Sequence, residues 1–310
     1  MVVVGGANID IKACSTDRPA LRTSNPGRTT SSAGGVARNI AENLARLGTS
    51  VHLVAAVGLD VAGSRLLADT SAAGVDVSLV NRGGHATGSY TAVLDPAGDL
   101  VIAVADMAAT DAMRPEDMAA TVAEIGRAAL LVIDGNLSTD TAAYLLDLAR
   151  ELDCRVILEP VSVAKATRLA TVLDPRRPLF ATTPNLAELA ALTGCDTRTD
   201  AGVAAAVARL HELGVEWVWV RSGPYGSMLA GRGTEPQLFA AHPGPVVDVT
   251  GAGDAMLAAF AHVLLAGRSP SEAVRYGHAA AALTVASDRT VRDDLSAELL
   301  DRELAQQPQQ

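Results

Sequence analysis

Apolar residues recur along the chain with two periods. Short runs rich in valine, isoleucine and leucine, at Val51 to Val57, Leu130 to Ile133 and Val156 to Leu158, have the length and β-branched character of buried strands. Between them, Val61 to Ala73 and Thr139 to Glu151 carry apolar positions three and four apart, which predicts amphipathic helices. The first helix is predicted over Val36 to Leu47, where Val36, Ile40, Leu44 and Leu47 form one stripe and Gly48 is placed to end it. Strands alternating with helices imply βαβ units and a parallel sheet covered on both faces.

Two stretches break the alternation. Residues 11–33 lack the helical period, and residues 87–105 read as a hairpin: Tyr90 to Leu94, a turn at Asp95-Pro-Ala-Gly98, then Leu100 to Val104. Together they are expected to form a small β-lid on the main domain. From Ala255 onward the pattern is helical, with Met256, Leu257, Phe260, Val263 and Leu264 on one face and a further helix over Ser271 to Ser287. The tail Gln306 to Gln310 is expected to fray. There is no internal repeat and no low-complexity linker, so the 310 residues read as one domain.

Composition narrows the function classes. The chain is 49% hydrophobic but only 3% aromatic, the usage of a helix-rich α/β core rather than a β-sandwich. A formal net charge of −10 with scattered basic residues argues against a nucleic-acid polymer as partner, though not against one small phosphorylated ligand. Cys14, Cys154 and Cys195 are odd in number and form no CxxC pair, which points to a reducing cytoplasm. The chain opens on Val2-Val-Val4 without a basic leader, and no apolar run approaches a membrane span, so neither secretion nor membrane insertion is expected. Six scattered histidines make no metal motif, and GxSxG and Walker sequences are missing.

The segment that carries most chemistry is Asp248-Val-Thr-Gly-Ala-Gly-Asp254, followed directly by an apolar helix. Gly251, Ala252 and Gly253 leave backbone N–H groups unscreened at a helix N-terminus, an arrangement suited to an anion such as a phosphoryl group in transfer. Asp254 at the same turn can take the proton from an attacking hydroxyl; the alternative is a glycine turn with Asp254 as a simple N-cap. Gly34 and Gly35 stand at the mouth of another helix, where a ligand can approach the backbone or a plain turn can form, and Asn39 offers a donor and an acceptor to a polyol. Asn8 and Asp10 follow the opening strand with i, i+2 spacing, which places both on one face, for two sugar hydroxyls or for a structural turn. Asn185 and Glu188 begin a helix after Pro184 and can hold a hydrated Mg²⁺ beside phosphates, or merely decorate the helix. Ser222-Gly-Pro-Tyr-Gly226 is either a wall for a nucleotide or a hairpin turn.

Taken together and in this order, these segments resemble the ribokinase-like, or PfkB, family of sugar and nucleoside kinases. Gly34 to Gly58, with Asn39, Ala41 and Gly48, resembles one signature of that family, and Asp248 to Ala261 resembles the other. The resemblance implies a three-layer α/β/α core with a mostly parallel sheet and a β-lid. It implies Asp254 as catalytic base, Gly251, Ala252 and Gly253 as anion hole, and Asn8, Asp10, Gly34, Gly35 and Asn39 around the sugar. It also implies Asn185 and Glu188 for Mg²⁺ and phosphates, Ser222, Gly223, Gly226 and His278 beside ATP, and K⁺ near Asp248 and Thr250.

Within the family, Gly5 to Ile11, Gly35 to Leu44, and Thr87 to Asp95 with Ala105-Asp-Met107 look like the pseudouridine-kinase subgroup. Ribokinases usually carry Lys-Gly where Val36-Ala37 stands and commonly Glu at the position of Asn136, which weakens a ribose reading. The expectation is therefore phosphorylation of a C-nucleoside with ATP and Mg²⁺, the lid and Lys12 meeting the base, and a homodimer formed through the lid. A kinase for another nucleoside or a free pentose is the alternative. A non-catalytic nucleoside binder on the same fold is disfavoured, because a pure binder has no need of Asp254.

Overall fold

The computed structural model describes residues 1–305, and the tail read as frayed lies outside them. In chain order the strands are β1 (Val2–Val4), β2 (Asn8–Ser15), β3 (Gly27–Gly34), β4 (His52–Val54), β5 (Ala56–Val57), β6 (Asn81–Arg82), β7 (Gly88–Leu94), β8 (Leu100–Asp106), β9 (Leu130–Asp134), β10 (Arg155–Glu159), β11 (Leu179–Thr182), β12 (Val215–Arg221), β13 (Ser227–Gly231) and β14 (Gln237–Phe239). The helices are α1 (Val36–Arg46), α2 (Val61–Ala72), α3 (Ala108–Asp111), α4 (Val122–Arg127), α5 (Thr139–Glu151), α6 (Val163–Leu169), α7 (Leu186–Thr193), α8 (Asp200–Glu212), α9 (Ala252–Leu265), α10 (Pro270–Val285) and α11 (Ala297–Ala305).

The main sheet runs β14-β13-β12-β11-β10-β9-β1-β4, parallel from β4 to β12 and antiparallel in the two last pairings. Alternate residues of each central strand feed opposite faces, as the two-residue period requires. Val4, Ile133, Leu158 and Val218 pack under α5 to α8, whereas Val3, Val132, Ile157 and Trp219 pack under α1, α2, α9 and α10. That double coverage makes the strands read as continuous apolar runs. β1 lies between β4 and β9, so strand order reverses there and a crevice opens at the carboxyl ends of β1 and β9, where open α/β sheets seat ligands.

The two stretches that break the alternation form a second sheet, β3-β2-β7-β8. Its register sets Asn8 beside Gly34 on one side and Gly88 on the other. The turn between β7 and β8 is held by Asp95, whose carboxylate accepts the N–H of Ala97 and of Asp99, while Gly98 takes φ +89°. Leu100, Ile102 and Val104 of β8 alternate onto one face and are 57%, 58% and 63% exposed, an apolar stripe that nothing among the described residues covers.

One predicted strand is divided. Val51 to Val57 breaks at Ala55, whose carbonyl accepts the Asn81 N–H at 2.8 Å, so β4 stays in the main sheet and β5 starts a short ladder with β6. Helix α10 begins one residue earlier than read, because Pro270 stands at its first turn behind a capping box of Ser269 and Glu272. Among the described residues no helix is long and apolar enough to cross a membrane.

Candidate active site

Helix α9 starts without a side-chain cap. Gly251 occupies its N-cap position at φ +81°, and a Cβ there would stand 2.1 Å from the Thr290 carbonyl oxygen, so only glycine fits. The Ala252 N–H reaches the Val249 carbonyl at 3.3 Å, while the N–H groups of Gly253 and Asp254 meet no protein acceptor among the described residues. An uncapped first turn with the positive end of a fourteen-residue helix behind it is an anion site. Asp254 is therefore not the N-cap; it is the third helical residue.

The Asp254 carboxylate accepts one side-chain hydrogen bond, from Asn39 Nδ2 at 2.8 Å. Although it keeps some accessible surface, it is densely surrounded by protein. Desolvation pushes its pKa up to about 7; Glu159 and Asp134 add to the rise, and Asn39 and Arg221 oppose it. A carboxyl tuned to that range can exchange a proton at neutral pH.

Asn39 makes a hydrogen bond within the protein at each end of its amide. Its Oδ1 accepts from Arg38 Nη1 at 2.8 Å, and its Nδ2 holds Asp254. Arg38 is itself buried, ion-paired with Glu42 and bonded to the Ala33 carbonyl. Gly34 and Gly35 differ from an open ligand cradle. Gly35, at φ +95°, packs on Gly6 and Ala7, and the start of α1 is occupied by Asp134 from β9. Asp134 is fully buried; its Oδ2 accepts from Gly6 N and Ala37 N at 2.9 Å each, and its Oδ1 from Asn136 N at 2.8 Å.

Asn8, Asp10 and Lys12 lie on one face of β2. Asn8 Nδ2 donates to Asp10 Oδ1 at 2.7 Å, and the Asp10 carboxylate packs over Gly34, where a Cβ would stand 2.2 Å from Oδ2. Burial raises the Asp10 pKa against the bond from Asn8. Lys12 Nζ reaches across to Asp248 Oδ2 at 2.7 Å, joining the second sheet to the glycine turn. Asp248 Oδ1 accepts from both the N–H and the hydroxyl of Thr250. Across the crevice, Asn136 Oδ1 accepts from Lys165 Nζ.

Asn185 and Glu188 make a capping box: Asn185 Oδ1 accepts the Glu188 N–H and Glu188 Oε2 accepts the Asn185 N–H, both at 2.9 Å. This leaves Glu188 Oε1 without a hydrogen-bond partner among the described residues, and burial raises the Glu188 pKa. Ser222 to Gly226 form the turn of the β12–β13 hairpin, closed by Ser222 N–H to the Gly226 carbonyl at 2.9 Å. His278 is buried against Ser227, the residue that follows Gly226 in this hairpin. Its Nε2 is 2.7 Å from Ser227 Oγ, which also accepts Trp219 Nε1–H, and burial drives its pKa down to about 4. Among the described residues no group of three or more His, Cys, Asp or Glu can hold a metal.

Residues that the sequence reading passed over also converge here. Glu159 and Arg221 end β10 and β12, with Arg221 Nη2 donating to both Glu159 oxygens at 2.8 and 3.0 Å. Thr183 Oγ1 donates to Glu159 Oε2 at 2.6 Å. The signal was available: Asp134, Glu159 and Arg221 are each a charged residue closing an apolar strand at the sheet's carboxyl edge.

A mostly parallel sheet, an uncapped glycine-led helix start and a buried carboxyl beside it define a phosphoryl-transfer enzyme of the α/β class. The chain belongs to the pfkB family of carbohydrate kinases, whose sequence pattern matches residues 1–296, and it has the ribokinase-like fold. It is 34% identical over 298 residues to the pseudouridine kinase of Escherichia coli (strain K12), covering 96% of this chain and 93% of that one. The structure of Arabidopsis thaliana ribokinase complexed with ribose and ATP superposes with a TM-score of 0.86 at 26% identity, covering 98% of this chain and 97% of the other. A carbohydrate kinase from Agrobacterium tumefaciens gives 0.84 at 34% identity, over 99% and 97% of the two chains.

Proposed function

We propose that this kinase transfers a phosphoryl group from ATP to the 5′-hydroxyl of pseudouridine, giving the 5′-monophosphate. The observation that carries the chemistry is Asp254, tuned to about 7 and held by Asn39 at the open start of α9. The substrate reading rests on the likeness to the Escherichia coli pseudouridine kinase. Asp254 accepts the 5′-hydroxyl proton as that oxygen bonds to the γ-phosphorus and the bond to the leaving diphosphate oxygen breaks. The open N–H groups of Gly253 and Asp254, with Gly251 and Ala252 shaping the turn, face the charge on the transferring group.

The residues fit a triphosphate and Mg²⁺. Phosphate oxygens satisfy the unpartnered N–H groups of α9, and Glu188 Oε1 is free for a water of a hydrated Mg²⁺, an ion that needs only one or two protein carboxylates. When bound, Mg²⁺ neutralises charge on the phosphates. Asn185 serves by fixing Glu188. At the position proposed for K⁺, Asp248 Oδ1 accepts from Thr250 and Oδ2 accepts from the Lys12 ammonium.

In this reading β2, β3, β7 and β8 are the lid. Asn8 and Asp10 hold two ribose hydroxyls, with Gly34, Gly35 and Asn136 shaping that end of the crevice, while Lys12 and the lid meet the base. A second copy of the chain packs against the uncovered stripe of β8. Ser222, Gly223 and Gly226 border the nucleotide through their hairpin backbone.

Pseudouridine exposes a ring N–H that uridine lacks, and a buried acceptor aimed at it loses its partner when uridine binds. Coupled ADP release with pseudouridine, uridine, adenosine and ribose tests the reading. We expect kcat/KM for pseudouridine to exceed the others by at least about tenfold, equivalent to about 1.4 kcal/mol. Ribose turned over equally well would mean that no base is read and would replace the substrate by a free pentose.

A further inference from the structure

The sheet delivers Arg221 and Glu159 to one place, since they end strands β12 and β10 on either side of β11. Glu159 is buried and Arg221 largely so, their side chains 6% and 12% exposed. Glu159 is saturated: besides Arg221 Nη2 and Thr183 Oγ1, it accepts the Val161 N–H at 3.2 Å. Arg221 Nη1 points the other way and donates to the Gly253 carbonyl at 3.3 Å, on the residue before Asp254. Its backbone N–H binds the Pro184 carbonyl at 2.8 Å, just ahead of the Asn185 cap. One residue thus ties β12 to the glycine turn, to β10 and to the start of α7.

A buried ion pair is a poor stability device, because taking both charges out of water offsets most of their attraction and an apolar pair of similar volume does as well. Here the guanidinium does what an apolar pair cannot, since it holds a backbone carbonyl of the phosphate-facing turn. We propose that Arg221, clamped by Glu159, is a positioning residue that locks the Gly251–Gly253 turn and Asp254 in place at the start of α9. The proposal rests on the kinase reading for its effect on rate, but its effect on the turn stands apart from any substrate.

The charged groups facing Asp254 are Arg38 from α1, Asp134 from β9, Glu159 from β10 and Arg221 from β12. Removing one of the last two moves the base in a known direction. Arg221→Gln leaves the carboxylates less opposed and shifts the acid limb of kcat/KM upward, whereas Glu159→Gln keeps the bond to Arg221 and shifts it downward, by about half a pH unit each. These opposite shifts report the two charges beside Asp254, and the position of the turn is read separately from amide exchange.

Arg221→Gln strands a buried carboxylate and can fail to fold, so the deciding variant is Arg221→Met combined with Glu159→Leu, which removes both charges. We expect it to unfold cooperatively at a temperature near that of the parent. Amide exchange in a peptide spanning residues 249–255 should speed up about tenfold or more while α5 is unchanged. With pseudouridine, kcat should fall by about thirtyfold or more and KM change by less than about threefold. Unchanged exchange at the turn overturns the proposal whatever the activity. An inactive parent chain on every nucleoside and sugar tried overturns the kinase reading instead, and exchange still decides the role of Arg221.

Discussion

Replacing Asp254 with Asn should make the protein both nearly inactive and more stable. The amide keeps the size of the side chain, and its oxygen can still accept from Asn39 Nδ2, so the 2.8 Å bond is retained. What disappears is the proton acceptor, and loss of a general base costs about 10²–10⁴ in turnover. The same carboxyl is a thermodynamic burden. Its pKa rises from 3.8 unfolded to about 7 folded, so the native state binds more protons between those values and stability falls as pH rises through that window. At about 1.36 kcal/mol per pH unit, the burden above pH 7 is on the order of 4 kcal/mol. With an unfolding entropy of about 2.1 cal/mol/K per residue, that corresponds to roughly 6 °C in Tm for a chain of this length. Calorimetry on the parent and the variant at steps from about pH 4 to pH 8 should show equal melting at the acid end, a gap opening in favour of the variant, and a plateau above about pH 7. Turnover within about tenfold of the parent would refute Asp254 as the base, and a gap that does not grow with pH would refute its burial as the cause of its tuning.

Two further outcomes follow from the same geometry. Glu188→Gln preserves the capping box, since Gln serves at that position as Glu does, so Tm should change little while turnover falls and the Mg²⁺ concentration for half activity rises; an unchanged Mg²⁺ titration would leave the pair as a cap alone. Asn39→Asp keeps the acceptor for Arg38 but sets a second carboxylate against Asp254, so the acid limb of kcat/KM should move up by about one pH unit or more, and an unmoved limb would mean that Asn39 does not hold the base.

The elements were legible where the determining contacts are local. The stripe from Val36 to Leu47 and the apolar run Leu130 to Ile133 announce their faces by period alone, and both form within a residue of the reading. The uncapped helix start before Asp254 has an equally local cause: glycine at the N-cap leaves the first turn without a side-chain cap. The Asn185–Glu188 pair carried its structural meaning openly as well, because Asn followed three residues later by Glu at a helix start is the spelling of a capping box. Asn39 was not legible. Its partner Asp254 lies 215 residues away, and an asparagine on a helix gives no local sign of which remote carboxyl it will meet. The neighbours of His278 were not legible for a related reason, since only the fold shows that Trp219 and Ser227 enclose it.

The two glycine-led helix starts show what the sequence leaves undecided. α1 follows Gly34-Gly35 and α9 follows Gly251, and neither N-cap residue has a side chain to satisfy the first turn. On physical grounds each is a place for an anion. At α1 the anion is built in: Asp134 accepts the Ala37 N–H, and its other bonds, from Gly6 and Asn136, tie the ends of β1 and β9 to the same point. A free phosphate there would have to displace a fully buried carboxylate that holds three backbone N–H groups. At α9 no protein group among the described residues answers the N–H groups of Gly253 and Asp254. The carboxyl at that turn has one hydrogen-bond donor against the three of Asp134, and it keeps some accessible surface. One acid is spent on holding the crevice together, which leaves the other start open for a group that arrives from outside. The assignment of roles between two similar turns therefore comes from a single residue at the end of β9.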